Sequence, residues 1–568
     1  MTKVIGLVAA TAAGRAAADR LADAWPGRTR RYAGTVAEQL RAAWSDCGAI
    51  VCFLAVPATV RLAAPLLRDK DTDPGVVCVD EAGRYAVPVL GGHGGGANGL
   101  AAAVGEVLGA EPVVTTGTDA VGRTPLDSYG SELGFRLPDP TAVAAVTRAV
   151  LDGAALRVEA DAVWPLPPLV TAAPAPYTLA VTDRADVAAD LVYRPPSLVV
   201  GVGASRGAPA DELDALIDAA LADAALVPES VRALATADVK ADEPGIVEVA
   251  RRRGWPLLTY PAAELAAEAV PNPSEVVRAA VGTPSVAEAA ALRAARAAGR
   301  AAALVVEKRA AAMSTVAVAR LTPRGRLTVV GLGPGAADLR TPRATAALRR
   351  AAVVVGLDQY VDQIRPLLTA GTRVLASGLG AEEERARTAV TLATEGHAVA
   401  LIGSGDAGVY AMASPALQVA GADVDVEVVP GVTAALAAAA LLGAPLGHDH
   451  AYLSLSDLHT PWAVIADRLR ACAEADLVVS LYNPRSRRRT AQFDEALAIL
   501  GKHRPASTPV GVVRDATRPG ERVVRTTLRA LADDPSIVDM LSVVVVGSSR
   551  TATVAGRIVT PREYRWLP

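Results

Sequence analysis

Short apolar runs alternate with amphipathic, alanine-rich segments along the first third of the chain. Val4–Ala10, Ala49–Ala55 and Gly75–Val79 have the length and bulk of buried strands, and Arg15–Trp25, Val36–Trp44 and Asn98–Leu108 carry apolar residues at helical spacing. Strand–helix alternation of this kind predicts a mostly parallel sheet. Proline-rich sequence at 164–168, 173–176 and 195–196 interrupts the pattern and predicts a boundary near 160–195. A second α/β unit is expected from the strand Leu198–Val202 to Val316–Leu321, followed by a polar linker over Thr322–Arg326 and a fresh strand from Leu327. The fold class is therefore α/β and multi-domain: an α/β domain over 1–120, a middle region with a Pro-rich linker over 121–196, a second α/β domain over 197–321, and a further unit from 326 onward.

Composition narrows the function. Of 568 residues, 51% are hydrophobic and 21% charged, enough to bury several cores and to exclude global disorder. Lys and Arg number 57 against 60 Asp and Glu, a net charge of −3, so massed positive charge for nucleic acid or an anionic membrane is absent. Cys47, Cys52, Cys78 and Cys472 form no CxxC and are expected as small buried hydrophobes rather than a disulfide framework. The apolar start is short and is followed by Arg15, Asp19, Arg20 and Asp23 at helical spacing, which reads as strand then helix, not a signal peptide. The uncharged stretch Val428–Gly447 is broken by Pro430, Gly431, Gly443 and Pro445, so no membrane span is expected. A cytoplasmic enzyme is the resulting expectation.

Candidate chemistry concentrates in the last third. The strand Leu327–Gly331 runs into glycines at 331, 333 and 335, a GxGxG spacing that fits neither the dinucleotide fingerprint nor a P-loop. Further strand ends deliver Gly-Ser-Gly-Asp-Ala-Gly-Val-Tyr over 403–410, Pro-Gly-Val-Thr over 430–433, Ser-Leu-Ser-Asp-Leu-His-Thr-Pro-Trp over 454–462 and Leu-Tyr-Asn-Pro-Arg over 481–485. In α/β proteins ligands bind at such carboxyl ends.

On these motifs residues 326–568 resemble precorrin-3B C17-methyltransferase, the ring-contracting member of the tetrapyrrole methyltransferase superfamily. The resemblance implies two αβα lobes, 326–440 and 441–568, with S-adenosylmethionine in the cleft between them. Carried over by position, it places Gly333, Pro334, Gly335, Ser404, Gly405, Asp406, Val409, Tyr410, Thr433, Ala434 and Tyr482 at the cofactor. The chain departs from the family pattern at Ala411 and at Ala463, where an acid is common, so no catalytic acid is expected at 463. Ring contraction needs a base for a macrocycle hydroxyl, and Asp457 and His448 are the candidates. His448-x-His450 also reads as a partial metal site, but without a clear third ligand no metal is assigned. The run Arg485–Arg489 suits substrate carboxylates or a solvated helix start. The resemblance further implies a tetrapyrrole substrate and a homodimer.

The N-terminal two thirds carry Gly-Gly-His-Gly-Gly-Gly-Ala-Asn over 91–98 and Thr-Thr-Gly-Thr-Asp over 115–119, with further motifs at 201–206, 237–244, 282–288 and 306–308. Over about 1–321 these resemble cobalt-precorrin-5A hydrolase, which opens a lactone and releases acetaldehyde. His93 is the candidate base, Asn98 or backbone amides the oxyanion partners, and Lys240, Glu243 or Lys308 proton shuttles or carboxylate anchors. The joint expectation is a bifunctional corrin-ring enzyme. Two alternatives stand beside it: a methyltransferase joined to a non-catalytic tetrapyrrole carrier, and a methyltransferase of this fold acting on another substrate.

Overall fold

The computed structural model describes residues 4–69, 72–486 and 489–562. The chain forms two compact units, Met1–Pro323 with Thr369–Gly371, and Arg324–Leu368 with Thr372–Pro568.

The first unit opens with a six-stranded sheet in the order Thr29–Arg31, Ile5–Ala9, Ala49–Phe53, Gly75–Val79, Tyr85–Leu90, Glu111–Pro112. All pairings are parallel except that of Gly75–Val79 with Tyr85–Leu90. Its central strands are buried at every position, as their apolar runs require. Helix Ala12–Ala24 starts where the Thr11 side chain accepts from the Gly14 amide at 3.0 Å, and Val36–Asp46 starts on a Thr35/Glu38 capping box. A second sheet runs Leu257–Tyr260, Val231–Ala237, Leu198–Ala204, Ser314–Thr322, Ala301–Ala310, its first three strands parallel and the last two antiparallel.

The stretch expected as a Pro-rich linker is folded. Leu156–Ala160, Tyr177–Val181 and Leu191–Tyr193 make a parallel three-stranded sheet over a core of Leu126, Tyr129, Phe135, Leu179 and Tyr193. The prolines flank these short strands and so hide them in the sequence. Buried Asp183 anchors the layer to the second sheet, receiving Arg320 Nε and Nη2 and the Ser197 hydroxyl, each at 2.7 Å. The expected linker Thr322–Arg326 also shrinks. Strands run to Thr322 and resume at Gly325, where a Cβ would lie 2.0 Å from the Ala393 carbonyl, so glycine lets the new strand begin against a helix end.

The second unit has two lobes. The first holds a parallel sheet ordered Arg373–Ser377, Val353–Leu357, Ala398–Gly403, Gly325–Gly331, Val424–Val429, with separate apolar clusters on its two faces. Helices Glu382–Thr394 and Ala413–Val419 pack one face, Pro342–Arg350 and Asp358–Ile364 the other. The second lobe holds a mixed sheet ordered His450–Ser454, Val478–Tyr482, Ser542–Val546, Pro509–Arg514, Arg522–Thr527. Helices Trp462–Glu474 and Ala491–Gly501 cover one face and Ala434–Leu442 the other. Among the described residues no helix is long and apolar enough to cross a membrane. Cys47, Cys52 and Cys78 are buried, whereas Cys472 is only partly so.

Candidate active site

Three adjacent parallel strands of the first lobe, Ala398–Gly403, Gly325–Gly331 and Val424–Val429, send their loops to one end of the sheet. Gly333 and Gly405 exchange backbone bonds at 3.0 and 2.8 Å. A Cβ on Gly431 would lie 2.2 Å, and one on Gly331 2.7 Å, from the Gly405 carbonyl, so only glycines let the three loops converge. The Asp406 carboxylate locks the arrangement by accepting from the Gly408 amide at 2.8 Å and the Gly431 amide at 3.0 Å. Both of its oxygens are thereby committed to loop order.

The second lobe closes on these loops through tyrosines. Tyr482, ending its strand, meets the Thr433 hydroxyl at 2.6 Å and accepts from the Ala435 amide at 3.0 Å, in the first turn of helix Ala434–Leu442. Tyr410, held at φ +51°, donates its hydroxyl to the Tyr452 carbonyl at 2.8 Å, and its ring lies tilted 5.4 Å from that of Tyr482. Burial pushes the Tyr482 phenol upward, opposed by the bonds from Thr433 and Ala435, and the net direction is up. It therefore stays protonated and can both donate and accept. Gly333, Pro334, Gly335, Ser404, Gly405, Asp406, Val409, Tyr410, Thr433 and Tyr482 lie on loops or strand ends at this lobe junction, and Ala434 opens the helix that starts there.

The two candidate bases are separated. Asp457 lies past the carboxyl end of His450–Ser454, the end where Ser454 pairs with Tyr482, and its Oδ2 accepts from Gln492 Nε2 at 2.8 Å. His448 precedes the amino end of the same strand, exposed, its Nδ1 accepting from the Asp449 amide at 2.7 Å. Among the described residues no three His, Cys, Asp or Glu side chains converge as a metal site. In the arginine run, Arg489 turns inward and donates to the Leu455 and Asn483 carbonyls at 2.6 Å each, and Arg485 donates to the Pro535 carbonyl at 2.9 Å. Arg487 and Arg488 lie outside the described residues.

In the first unit, His93 sits in the glycine loop between strand Tyr85–Leu90 and helix Ala97–Leu108. Its Nε2 lies 3.1 Å from both Thr118 Oγ1 and Asp119 Oδ2. Asn98 Nδ2 donates to Thr116 Oγ1 at 3.0 Å and to Asp119 Oδ2 at 3.3 Å, and the Thr116 hydroxyl also donates to Asp119. Burial lowers the His93 pKa, but the hydrogen bond to Asp119 and the charges of Asp127 and Asp119 outweigh it, and the net direction is up. Lys240 belongs to the other sheet of this unit, after strand Val231–Ala237, with Nζ 3.7 Å from Glu243 Oε2. Buried Glu243 in turn accepts from the Gly207 amide at 2.7 Å. His93 and Lys240 are thus placed on different sheets.

Residues 326–532 match the family model of the tetrapyrrole (corrin/porphyrin) methylases. The chain is 45% identical over 241 residues to a probable cobalt-factor III C(17)-methyltransferase of Salmonella typhimurium, covering 42% of this chain and 99% of that protein. The chain belongs to the tetrapyrrole methylases. Its methylase unit is also 40% identical over 251 residues to a precorrin-3B C(17)-methyltransferase of a Sinorhizobium species, covering 42% of the chain and 97% of that protein. Among solved structures, the methyltransferase CobJ matches at 38% identity and a TM-score of 0.40, covering 42% of this chain and all of that one. Residues 38–119 and 198–319 match the models described as cobalamin synthesis G N-terminal and C-terminus.

Sequence reasoning missed two residues at the lobe junction. The Tyr452 ring lies tilted 5.8 Å from that of Tyr482, and Arg518 reaches from the second lobe to the Pro334 carbonyl and the Ser404 hydroxyl, each at 2.6 Å. The Asp-Ala-Thr-Arg-Pro-Gly segment that carries Arg518 reads as an ordinary polar turn. Nothing in its composition marks it as a site.

Proposed function

We propose that the chain is a cytoplasmic, bifunctional enzyme of corrin-ring construction: an S-adenosylmethionine-dependent C17-methyltransferase joined to a lactone-opening hydrolase. The observation that carries the methyltransferase reading is the convergence of three glycine-built loops, tied by Asp406, under the tyrosines of the second lobe. The donor set suits S-adenosylmethionine. Carbonyls of 333–335, 404–406 and 433–434, and the amides there other than those of the mutually bonded Gly333 and Gly405, offer polar contacts with no Cβ to bar approach at the glycines, and Tyr410 and Tyr482 offer an aromatic wall. When bound, the cofactor supplies an electrophilic methyl on a sulfonium. The chain's own residues then hold and orient it, since in-line transfer depends on alignment more than on a strong base. Asp457, at the same strand end as Tyr482 and fixed by Gln492, is the proton acceptor for the substrate hydroxyl; His448, at the far end, is the weaker candidate.

In the first unit, His93 is the base that activates water on the lactone, with Asp119 orienting its ring; backbone amides of the glycine loop serve the developing oxyanion, because both Asn98 Nδ2 hydrogens go to Thr116 and Asp119. One of the relatives above is named for cobalt-factor III and the other for precorrin-3B, so both a cobalt-bearing and a cobalt-free tetrapyrrole are the substrates to test. Titration calorimetry with S-adenosylhomocysteine should give one site per chain, and its absence would end the methyltransferase reading. Acetaldehyde release from a lactone substrate should vanish in His93→Ala. Tight tetrapyrrole binding without release by the wild-type chain would make the first unit a carrier instead. Sedimentation tests the homodimer that the family resemblance implies.

A further inference from the structure

The segment between strands Pro509–Arg514 and Arg522–Thr527 of the second lobe is strained and fully occupied. Asp515 and Thr517 both lie at positive φ, +48° and +62°. A β-branched residue there is a genuine outlier that persists only where its surroundings over-determine it. They do: the Thr517 amide donates to Glu521 Oε2 at 2.7 Å, the Arg518 amide to the Asp515 carbonyl at 2.9 Å, and the Asp515 amide to the Leu541 carbonyl at 3.1 Å.

That strain aims two side chains at the first lobe. Thr517 Oγ1 accepts from the Ala336 amide at 3.1 Å. Arg518 donates through Nε to the Pro334 carbonyl and through Nη2 to Ser404 Oγ, both at 2.6 Å, with its guanidinium 5.9 Å from the Tyr360 ring centroid. Pro334 and Ser404 belong to different loops, which are joined next to them by the paired Gly333 and Gly405. The fork therefore closes a ring of contacts around both turns. Gly335, at φ +155°, completes the fit, because a Cβ there would lie 2.4 Å from Arg518 Cγ.

We propose that Arg518 is a positioning residue for the cofactor: it fixes the Gly333–Gly335 and Ser404–Asp406 turns in their binding geometry from the opposite lobe. This rests on the reading of those turns as the S-adenosylmethionine site. A planar guanidinium holds both acceptors with a rigid fork of donors, whereas a lysine ammonium is a compact point charge with no fixed fork to span them. The effect falls on binding rather than on the transfer step, since Arg518 acts through the turns.

The test uses the full chain. Calorimetry with S-adenosylhomocysteine, and steady-state methyl transfer with S-adenosylmethionine varied, are run on wild type, Arg518→Lys, Arg518→Ala and Gly335→Ala. Arg518→Ala should weaken binding about tenfold or more, the loss expected of a charge-assisted hydrogen bond. KM for the cofactor should rise in parallel, kcat at saturation should stay within about threefold, and Arg518→Lys should recover part of the affinity. Gly335→Ala should mimic the loss by displacing the arginine, and its cost should shrink in the Arg518→Ala background. Wild-type binding with unaltered affinity in both Arg518 variants overturns the role of Arg518 alone, as does a fall in kcat with KM unchanged. Failure of the wild-type chain to bind overturns the underlying cofactor reading as well.

Discussion

Tyr482→Phe isolates one hydroxyl at the lobe junction. The phenyl ring keeps its packing against Tyr410 at 5.4 Å and Tyr452 at 5.8 Å, so only the polar contacts change. Two are lost, the 2.6 Å contact with Thr433 and the 3.0 Å bond from the Ala435 amide. Ala435 is fully buried in the first helical turn, where an amide has no intrahelical acceptor, so its N–H is left unpaired. A net of roughly 1 kcal/mol per bond plus part of the penalty for an unmade buried donor gives about 2–3 kcal/mol. For a unit of this size that lowers the melting temperature by roughly 4–12 °C. The assay is a thermal scan of the full chain, following the transition that S-adenosylhomocysteine raises, because two units need not melt together. Thr433→Val should cost less, and the double variant should fall short of additivity by about 1 kcal/mol, since the two hydroxyls share one contact. A Tyr482→Phe protein melting within about 1 °C of wild type would refute the energetic reasoning, because that shift is well under 1 kcal/mol.

Further outcomes follow from named contacts. Gly431→Ala sets a Cβ 2.2 Å from the Gly405 carbonyl and should remove S-adenosylhomocysteine binding while acetaldehyde release persists; retained binding contradicts the convergent-loop site. Arg320→Ala leaves the buried Asp183 carboxylate without its cation, and a loss of about 3–5 kcal/mol should appear as a lower urea midpoint for the first unit; an unchanged midpoint denies the pair that role. Because the His93 pKa is raised above its ordinary 6.5, neutral His93 accumulates only at higher pH, so acetaldehyde release should climb through that raised value. The linked stability runs the other way: it is full below about 6.5 and lost as pH rises through the raised value. Asp119→Asn removes the leading upward influence and should move the rate midpoint down; an unmoved midpoint excludes His93 as the titrating base.

What the sequence made legible is what leaves a periodic or steric trace. Ala49–Phe53 and Gly75–Val79 are apolar at nearly every position because both sheet faces are covered, and their strands stand where the pattern puts them. The glycines at 331, 405 and 431 stand at the strand ends the pattern marks, and there they let three backbones meet. The middle layer was opaque, because strands of three to five residues between prolines carry too few apolar positions to outweigh the turn signals. His448 and Asp457 are near in sequence, yet the strand between them throws them to opposite ends. Arg489 looked free for substrate carboxylates, but two backbone carbonyls occupy it. Arg518 was invisible because its value lies in tertiary placement, which a polar turn does not advertise.

The most direct measurement of the central claim follows the transferred methyl. The full chain is incubated with methyl-labelled S-adenosylmethionine and, separately, cobalt-factor III or precorrin-3B, and the macrocycle is read by mass spectrometry. The account predicts one labelled methyl on at least one of the two substrates, lost in Gly431→Ala and kept in His93→Ala. No label on either macrocycle with the wild-type chain would contradict it.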